Sequence, residues 1–103
     1  MNKCIAERKL LFSKKEDDNL KEVTIKIGEP YLLKNDDVAF EFTEGTAGCN
    51  LEFEGMNEVN EIVYGADLIQ ALQLAVDIEP LIKSLSKKYN FYFPSGEPYF
   101  ESD

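Results

Sequence analysis

Residues 22–27 read Glu22-Val23-Thr24-Ile25-Lys26-Ile27, an unbroken alternation with Val23, Ile25 and Ile27 on one side and Glu22, Thr24 and Lys26 on the other. Successive side chains of an extended chain point to opposite faces, so this period of two describes a strand with one dry and one wet face. A strand of that kind belongs to an antiparallel sheet covered on one side only. Two further stretches repeat the pattern: Val38, Phe40 and Phe42 against Ala39, Glu41 and Thr43, then Leu51 and Phe53 against Asn50, Glu52 and Glu54. An earlier strand over residues 4–12, with Ala6, Leu10 and Phe12 inward, and a later one over residues 59–64 bring the expected number to five. The connecting segments 14–19, 34–37, 44–48 and 55–57 are rich in Asn, Asp, Lys and Gly, as hairpin turns are, and a meander is the simplest topology that joins them.

From Asp67 onward the period changes. Leu68, Ala71, Leu72, Ala75, Ile78, Ile82, Leu85 and Tyr89 recur on one helical face over about six turns. Asp67 and Gln70 stand at the spacing of a capping box, which marks the start of the helix. Pro80 falls inside the pattern, where it lacks an amide proton and crowds the Val76 carbonyl, so a kink or a restart at the first helical position is expected there. Lys83, Lys87 and Lys88 complement the dipole of the last turns. Residues 91–93 suit a short edge strand, and Pro94-Ser95-Gly96 reads as a turn into the tail. The expected fold is therefore α+β: a meander of five to six antiparallel strands, with one long C-terminal helix kinked near Pro80 on one face.

The 103 residues, 44% apolar with twelve Phe and Tyr, are enough for one core and one domain spanning 1–103, with the tail 94–103 either loosely ordered or folded back. The net charge of −9 is unevenly spread. Residues 1–34 carry eight Lys or Arg against six acids, whereas residues 35–103 carry three Lys against fourteen acids. Such a field repels nucleic acid and anionic membranes and accelerates encounter with a basic protein surface. The N-terminal residues hold no apolar run of signal-peptide length, and no stretch reaches the roughly 20 apolar residues of a membrane span, so a cytoplasmic location is expected.

Candidate chemistry is sparse. Histidine, the commonest general base, is absent, and so is any Cys-x-x-Cys pair, which leaves no zinc set and no cofactor motif. Cys4 and Cys49 could form one disulfide but read rather as two unpaired thiols, the second in a Gly-rich turn without a basic neighbour to activate it. Gly45-Thr46-Ala47-Gly48 lacks the Lys-Ser or Lys-Thr of a phosphate loop, and the clusters 16–18 and 35–37 lack the spacing of a calcium loop. No catalytic residue is assigned, and no enzyme is expected. Glu41, Glu52 and Glu54 are expected on the wet face of neighbouring strands, where they serve either as a solvated surface with Lys26 as neutraliser or as a partner-binding row. Tyr99 and Phe100, among acids in the tail, suit contact with a basic and partly apolar partner or a return onto the core.

The stretch Tyr64-Gly65-Ala66-Asp67-Leu68-Ile69-Gln70-Ala71-Leu72-Gln73-Leu74-Ala75, with Glu7-Arg8 and Ile27-Gly28-Glu29-Pro30 upstream, resembles a family of small bacterial domains of unknown function. The resemblance covers most of the chain and implies strands followed by a helix beginning Asp-x-x-Gln-Ala-Leu; it implies no catalytic residues. In size, acidity and build the chain is also similar to immunity proteins of bacterial toxin systems, including contact-dependent growth inhibition. That similarity implies a protein that neutralises a basic toxin domain by direct complex formation. The other expectation is a stand-alone regulatory or ligand-binding domain with a pocket between helix and sheet, lined by Phe40, Phe42, Phe53 and helix residues.

Overall fold

The computed structural model describes residues 3–56 and 60–100. Its elements in chain order are β1 (Cys4–Lys14), β2 (Lys21–Gly28), β3 (Tyr31–Leu32), β4 (Ala47–Glu54), β5 (Asn60–Gly65), α1 (Leu68–Val76), α2 (Glu79–Leu85) and β6 (Tyr89–Tyr92). All six strands join one antiparallel sheet. β1 pairs with β2, β2 with the end of β4, and β3 continues the line of β2 along the start of β4. β5 takes the other side of β4, with Ala47 opposite Gly65 and Glu52 opposite Asn60. The meander thus holds from β1 to β5. β6 returns to the far side of β1, where Leu11 faces Tyr92 and Lys14 faces Tyr89.

The alternation read from residues 22–27 sets the core. Val23, Ile25 and Ile27 are buried, and so are Leu10, Phe12, Cys49, Leu51 and Phe53 from the strands beside them. Ala71, Ala75, Ile78 and Ile82 close the layer from the helices. Each fully buried large side chain contributes about 1.5–3 kcal/mol through area removed from water, so this one layer carries most of the folding drive.

The long helix expected over 67–89 does not form. α1 ends at Val76 and α2 begins at Glu79, helices of nine and seven residues. Pro80 sits in the first turn of α2, where its missing N–H is harmless, but a helix continuous through it would drive its ring into the Val76 carbonyl. The chain avoids that by a tight bend: Asp77 takes φ −82° and ψ 73°, and the Ile78 N–H donates to the Val76 carbonyl at 2.9 Å. This is an inverse γ-turn. The buried stripe Ala71, Ala75, Ile78, Ile82 runs on across the break because both helices lie on the same face of the sheet. The start of α1 is as read, since Asp67 Oδ1 accepts from the Gln70 N–H at 2.8 Å. The Gln70 side chain reaches one residue further back than a capping box requires and accepts from the Ala66 N–H at 2.5 Å. Lys83 lies in the last turn of α2, while Lys87 and Lys88 follow the helix in the turn before β6.

The strand expected over 38–42 is also absent; residues 33–46 form an irregular loop. Phe40 and Phe42 are held instead by aromatic contacts, for Phe40 meets Phe42 edge-on with centroids 6.4 Å apart and Tyr64 at 5.2 Å. The strand lies later and starts within the supposed Gly-rich turn. Gly48 is a strand residue whose missing side chain makes room for the Tyr31 ring, 2.9 Å from where a Cβ would stand. The expected strand start at Val59, the turn residue Asn57 and the tail residues 101–103 lie outside the described residues.

α1 seats against the strand it follows through Gly65, where a Cβ would stand 2.4 Å from the Ala71 backbone nitrogen. Backbone cannot yield as a flexible side chain can. Gly65→Ala is therefore expected to cost about 1–3 kcal/mol through overpacking, seen as a lower urea midpoint at unchanged m-value. An unchanged midpoint would mean that α1 does not rest on β5 as described.

Candidate protein-binding surface

The five residues singled out from the sequence fall in three places. Glu52 and Glu54 lie on the outer face of β4, the side away from the helices, as the alternation requires. There Glu7 of β1 stands opposite Lys26 of β2, and Lys26 opposite Glu52, so the charges form a ladder of alternating sign across three strands. Lys26 also pairs with Glu54. The Glu54 carboxylate holds the Lys26 ammonium above the ordinary lysine value, with Glu52 adding to it. Cross-strand pairs of opposite charge support a sheet by a few tenths of a kcal/mol each, so these two glutamates serve the outer face as partners of Lys26.

Glu41 stands apart from them. It lies in the loop 33–46, exposed, between Phe40 and Phe42. Residues 34–46 hold Asp36, Asp37, Glu41 and Glu44 against Lys34 alone. The loop is locally braced, since Asp37 accepts from the Lys34 N–H at 2.7 Å and the Thr43 carbonyl accepts from the Thr46 hydroxyl at 2.7 Å and its N–H at 3.0 Å. Phe40 is 49% exposed despite its contact with Tyr64. An open aromatic ring in a loop that carries four acids against one lysine is the feature of this surface that the sequence pattern concealed. Reading Phe40 as a core residue of a strand hid it.

Tyr99 and Phe100 fold back. The chain turns at Gly96, the Phe93 N–H donates to the Glu97 carbonyl at 2.8 Å, and the Tyr99 N–H donates to the Phe91 carbonyl at 2.9 Å. Both rings are half-buried against the core and meet edge-on at 5.1 Å. The Tyr99 hydroxyl accepts from Arg8 at 2.8 Å and donates to Glu79, with Arg8 and Glu79 3.6 Å apart. This triad ties β1, α2 and the tail together. Burial, and then the hydrogen bond to Glu79, push the Tyr99 hydroxyl above its ordinary value against the opposing pull of Arg8.

Cys49 is buried in β4, where its Sγ donates to the Gly28 carbonyl at 3.1 Å and burial raises its pKa, the opposite of an activated thiol. Both cysteines are free. Phe53 is packed in the core, and Phe40 and Phe42 belong to the loop, so they do not line a common pocket with the helices. Between helices and sheet a groove of about 200 Å³ runs among Ala6, Arg8, Ile25, Ile27, Val76 and Ile78, below the ~300–1,000 Å³ of most small-molecule sites. Among the described residues no helix is long and apolar enough to cross a membrane.

The tail triad is open to solvent, and Tyr99→Phe is expected to lower stability by only about 0.5–1 kcal/mol. A second expectation concerns alkaline pH. Burial raises Tyr31 as well as Tyr99, Tyr31 with help from Tyr64 and Asp37. A group that holds its proton more tightly when folded contributes stability fully below its unfolded value, and that contribution is lost as pH climbs through the folded one. Urea midpoints should fall as pH rises above about 10, and the fall should be shallower in the Tyr31→Phe/Tyr99→Phe double variant. An equal slope in both proteins would remove these hydroxyls as the cause.

No family model, no curated protein and no solved structure matches this chain, so its function has to be argued from its own surface.

Proposed function

We propose that the chain is an acidic protein-binding domain of the immunity type, which neutralises a basic toxin domain by forming a direct complex with it. The observation that carries this reading is the loop 33–46, where Phe40 is half-exposed beside Tyr64 and within a run of four acids against one lysine. Interfaces draw their affinity from a few well-placed aromatic anchors, and charge around the anchor steers encounter and rejects wrong partners. Phe40 has the anchor's place, and Asp36, Asp37, Glu41 and Glu44 have the steering one. The wider field points the same way, since fourteen of the twenty acids lie after residue 34.

Glu52 and Glu54 enter only at the margin of this surface, because Lys26 already neutralises part of their charge. Tyr99 and Phe100 contribute by holding the tail against the core and leave the loop as the contact.

The test is co-expression with the protein encoded immediately upstream, followed by binding kinetics on the purified pair. Phe40→Ala should weaken the complex by ten- to a hundredfold, mainly through faster dissociation. Glu41→Lys should slow association and flatten its dependence on salt, leaving the fold unchanged. A neighbour that binds both variants as tightly as the parent protein would refute this surface, and a neighbour that does not bind at all would refute the immunity reading.

A further inference from the structure

A sheet edge is a template for another strand, and natural sheets blunt their edges with charge, with covering chain or with irregularity. Two of the open edges here are blunted. β6 is covered by the returning tail, through the bonds from Phe93 to Glu97 and from Tyr99 to Phe91. The N-terminal half of β1, past the reach of β6, carries Glu7, Arg8 and Lys9 in succession. β5 is less protected: it carries one charge, Glu61, and the Phe40 ring of the loop 33–46 meets its Tyr64 side chain edge-on without bonding to the backbone edge. Among the described residues no backbone group bonds to the side of β5 that faces away from β4, and its centre reads Ile62-Val63-Tyr64 without a charge. Ile62 is 46% exposed and Tyr64 37%, both on the outer face, opposite Asn50 and Gly48 of β4.

We infer that β5 is the contact through which two copies of this chain pair, edge to edge and antiparallel, about a two-fold axis at Val63. The sequence of β5 is self-complementary in that register. With Val63 at the axis, Ile62 of each copy falls opposite Tyr64 of the other, giving two aliphatic–aromatic cross-strand pairs on the outer face. Glu61, the one charge on the strand, falls opposite Gly65 and meets no like charge. The two Glu61 residues are then four positions apart along the joint, about 13 Å at 3.3 Å per residue. On the inner side Leu74 of α1 is 49% exposed. It lies on the flank of α1 opposite Val76, which faces the groove beside β1 and β2, so Leu74 is turned toward the β5 edge. Apolar surface therefore borders the open backbone on both faces of the sheet.

The contact is isologous, as closed two-fold dimers require. Its strip is six residues long, well short of the roughly 1,600 Å² of a tight complex, so the dimer is weak and depends on concentration. Each copy carries −9, and screening that mutual repulsion should strengthen the pairing. Binding of a basic partner runs the other way with salt, which separates this contact from the one proposed for the loop 33–46.

Sedimentation of the purified protein alone, over micromolar to millimolar loading and at low and high salt, tests the inference. A monomer–dimer equilibrium that tightens with salt is expected. Ile62→Lys should raise its dissociation constant at least tenfold, whereas Ile5→Lys, at a position 44% exposed on β1, should leave it within about twofold. Circular dichroism confirms that both variants are folded. A protein that stays monomeric throughout overturns the inference, and so does a dimer that survives Ile62→Lys or that both substitutions weaken alike.

Discussion

The contact on which the rest of the molecule depends is the cross-strand pair Ile25 and Phe53 on the buried face of the sheet. They are direct neighbours across β2 and β4, each at most 2% exposed, at the middle of the sheet. On one side of that pair Val23 and Leu10 extend the layer toward β1, and on the other Leu51 and Cys49 extend it toward β5. The helices reach it through small residues, Ala71 and Ala75, so the backbone of α1 can come close, and through Ile82 of α2. Because side chains alternate strictly along a strand, a slip of one residue in β2 or β4 would exchange this layer for Lys26, Glu52 and Glu54. The register is held by the cost of burying those charges as much as by the gain from burying the apolar ones.

How much of this was legible follows from where the information sits. Residues 22–27 and 50–54 show their strands because each strand has one wet and one dry face, and that asymmetry is written in period two. The helical stripe Ala71, Ala75, Ile78 and Ile82 is equally plain, and Pro80 shows where it is interrupted, but its expected continuation to Tyr89 fails because Tyr89 begins β6. Whether the interruption kinks a helix or divides it depends on the Val76 carbonyl finding another donor, and the Ile78 N–H supplies one. Residues 38–42 misled because aromatic packing within a loop can copy the spacing of a strand when its anchor, Tyr64, lies some twenty residues away. Gly48 misled in the opposite sense, since a glycine that makes room for a ring looks in sequence like one that makes a turn. The Arg8–Tyr99–Glu79 triad joins residues 91 positions apart, and no local pattern announces it. For the candidate surface, the facing of Glu52 and Glu54 toward Lys26 was readable, whereas the placement of Glu41 beside an exposed Phe40 was not.

The charge of the chain is organised by this architecture. On the sheet Lys26 stands between Glu7 and Glu52 and pairs with Glu54, so part of their charge is offset. In the loop 33–46 nothing comparable offsets them. A surface can carry a high net charge without destabilising its sheet if the excess is moved into loops, where carboxylates keep their hydration and stand farther from one another. The same separation leaves the sheet edges to be decided by apolar content, and there β5 differs from β1 and β6.

The division of the helical segment at Asp77 also bears on the order in which the chain can assemble. Helices of nine and seven residues are shorter than the roughly 12–15 at which a helix begins to hold by itself in water. Neither can serve as an early nucleus, so both must form against a sheet that is already there. That sheet is completed only when β6 reaches β1, joining Leu11 to Tyr92 across most of the chain. During synthesis, therefore, the β1–β2 hairpin and β4 can pair while the far side of β1 stays unpaired, and that side is closed only after residues 89–92 have followed. Closure by so distant a strand makes folding a slow, late-locking process, in which β6, paired with residues 11–14 of β1, acts as the clasp.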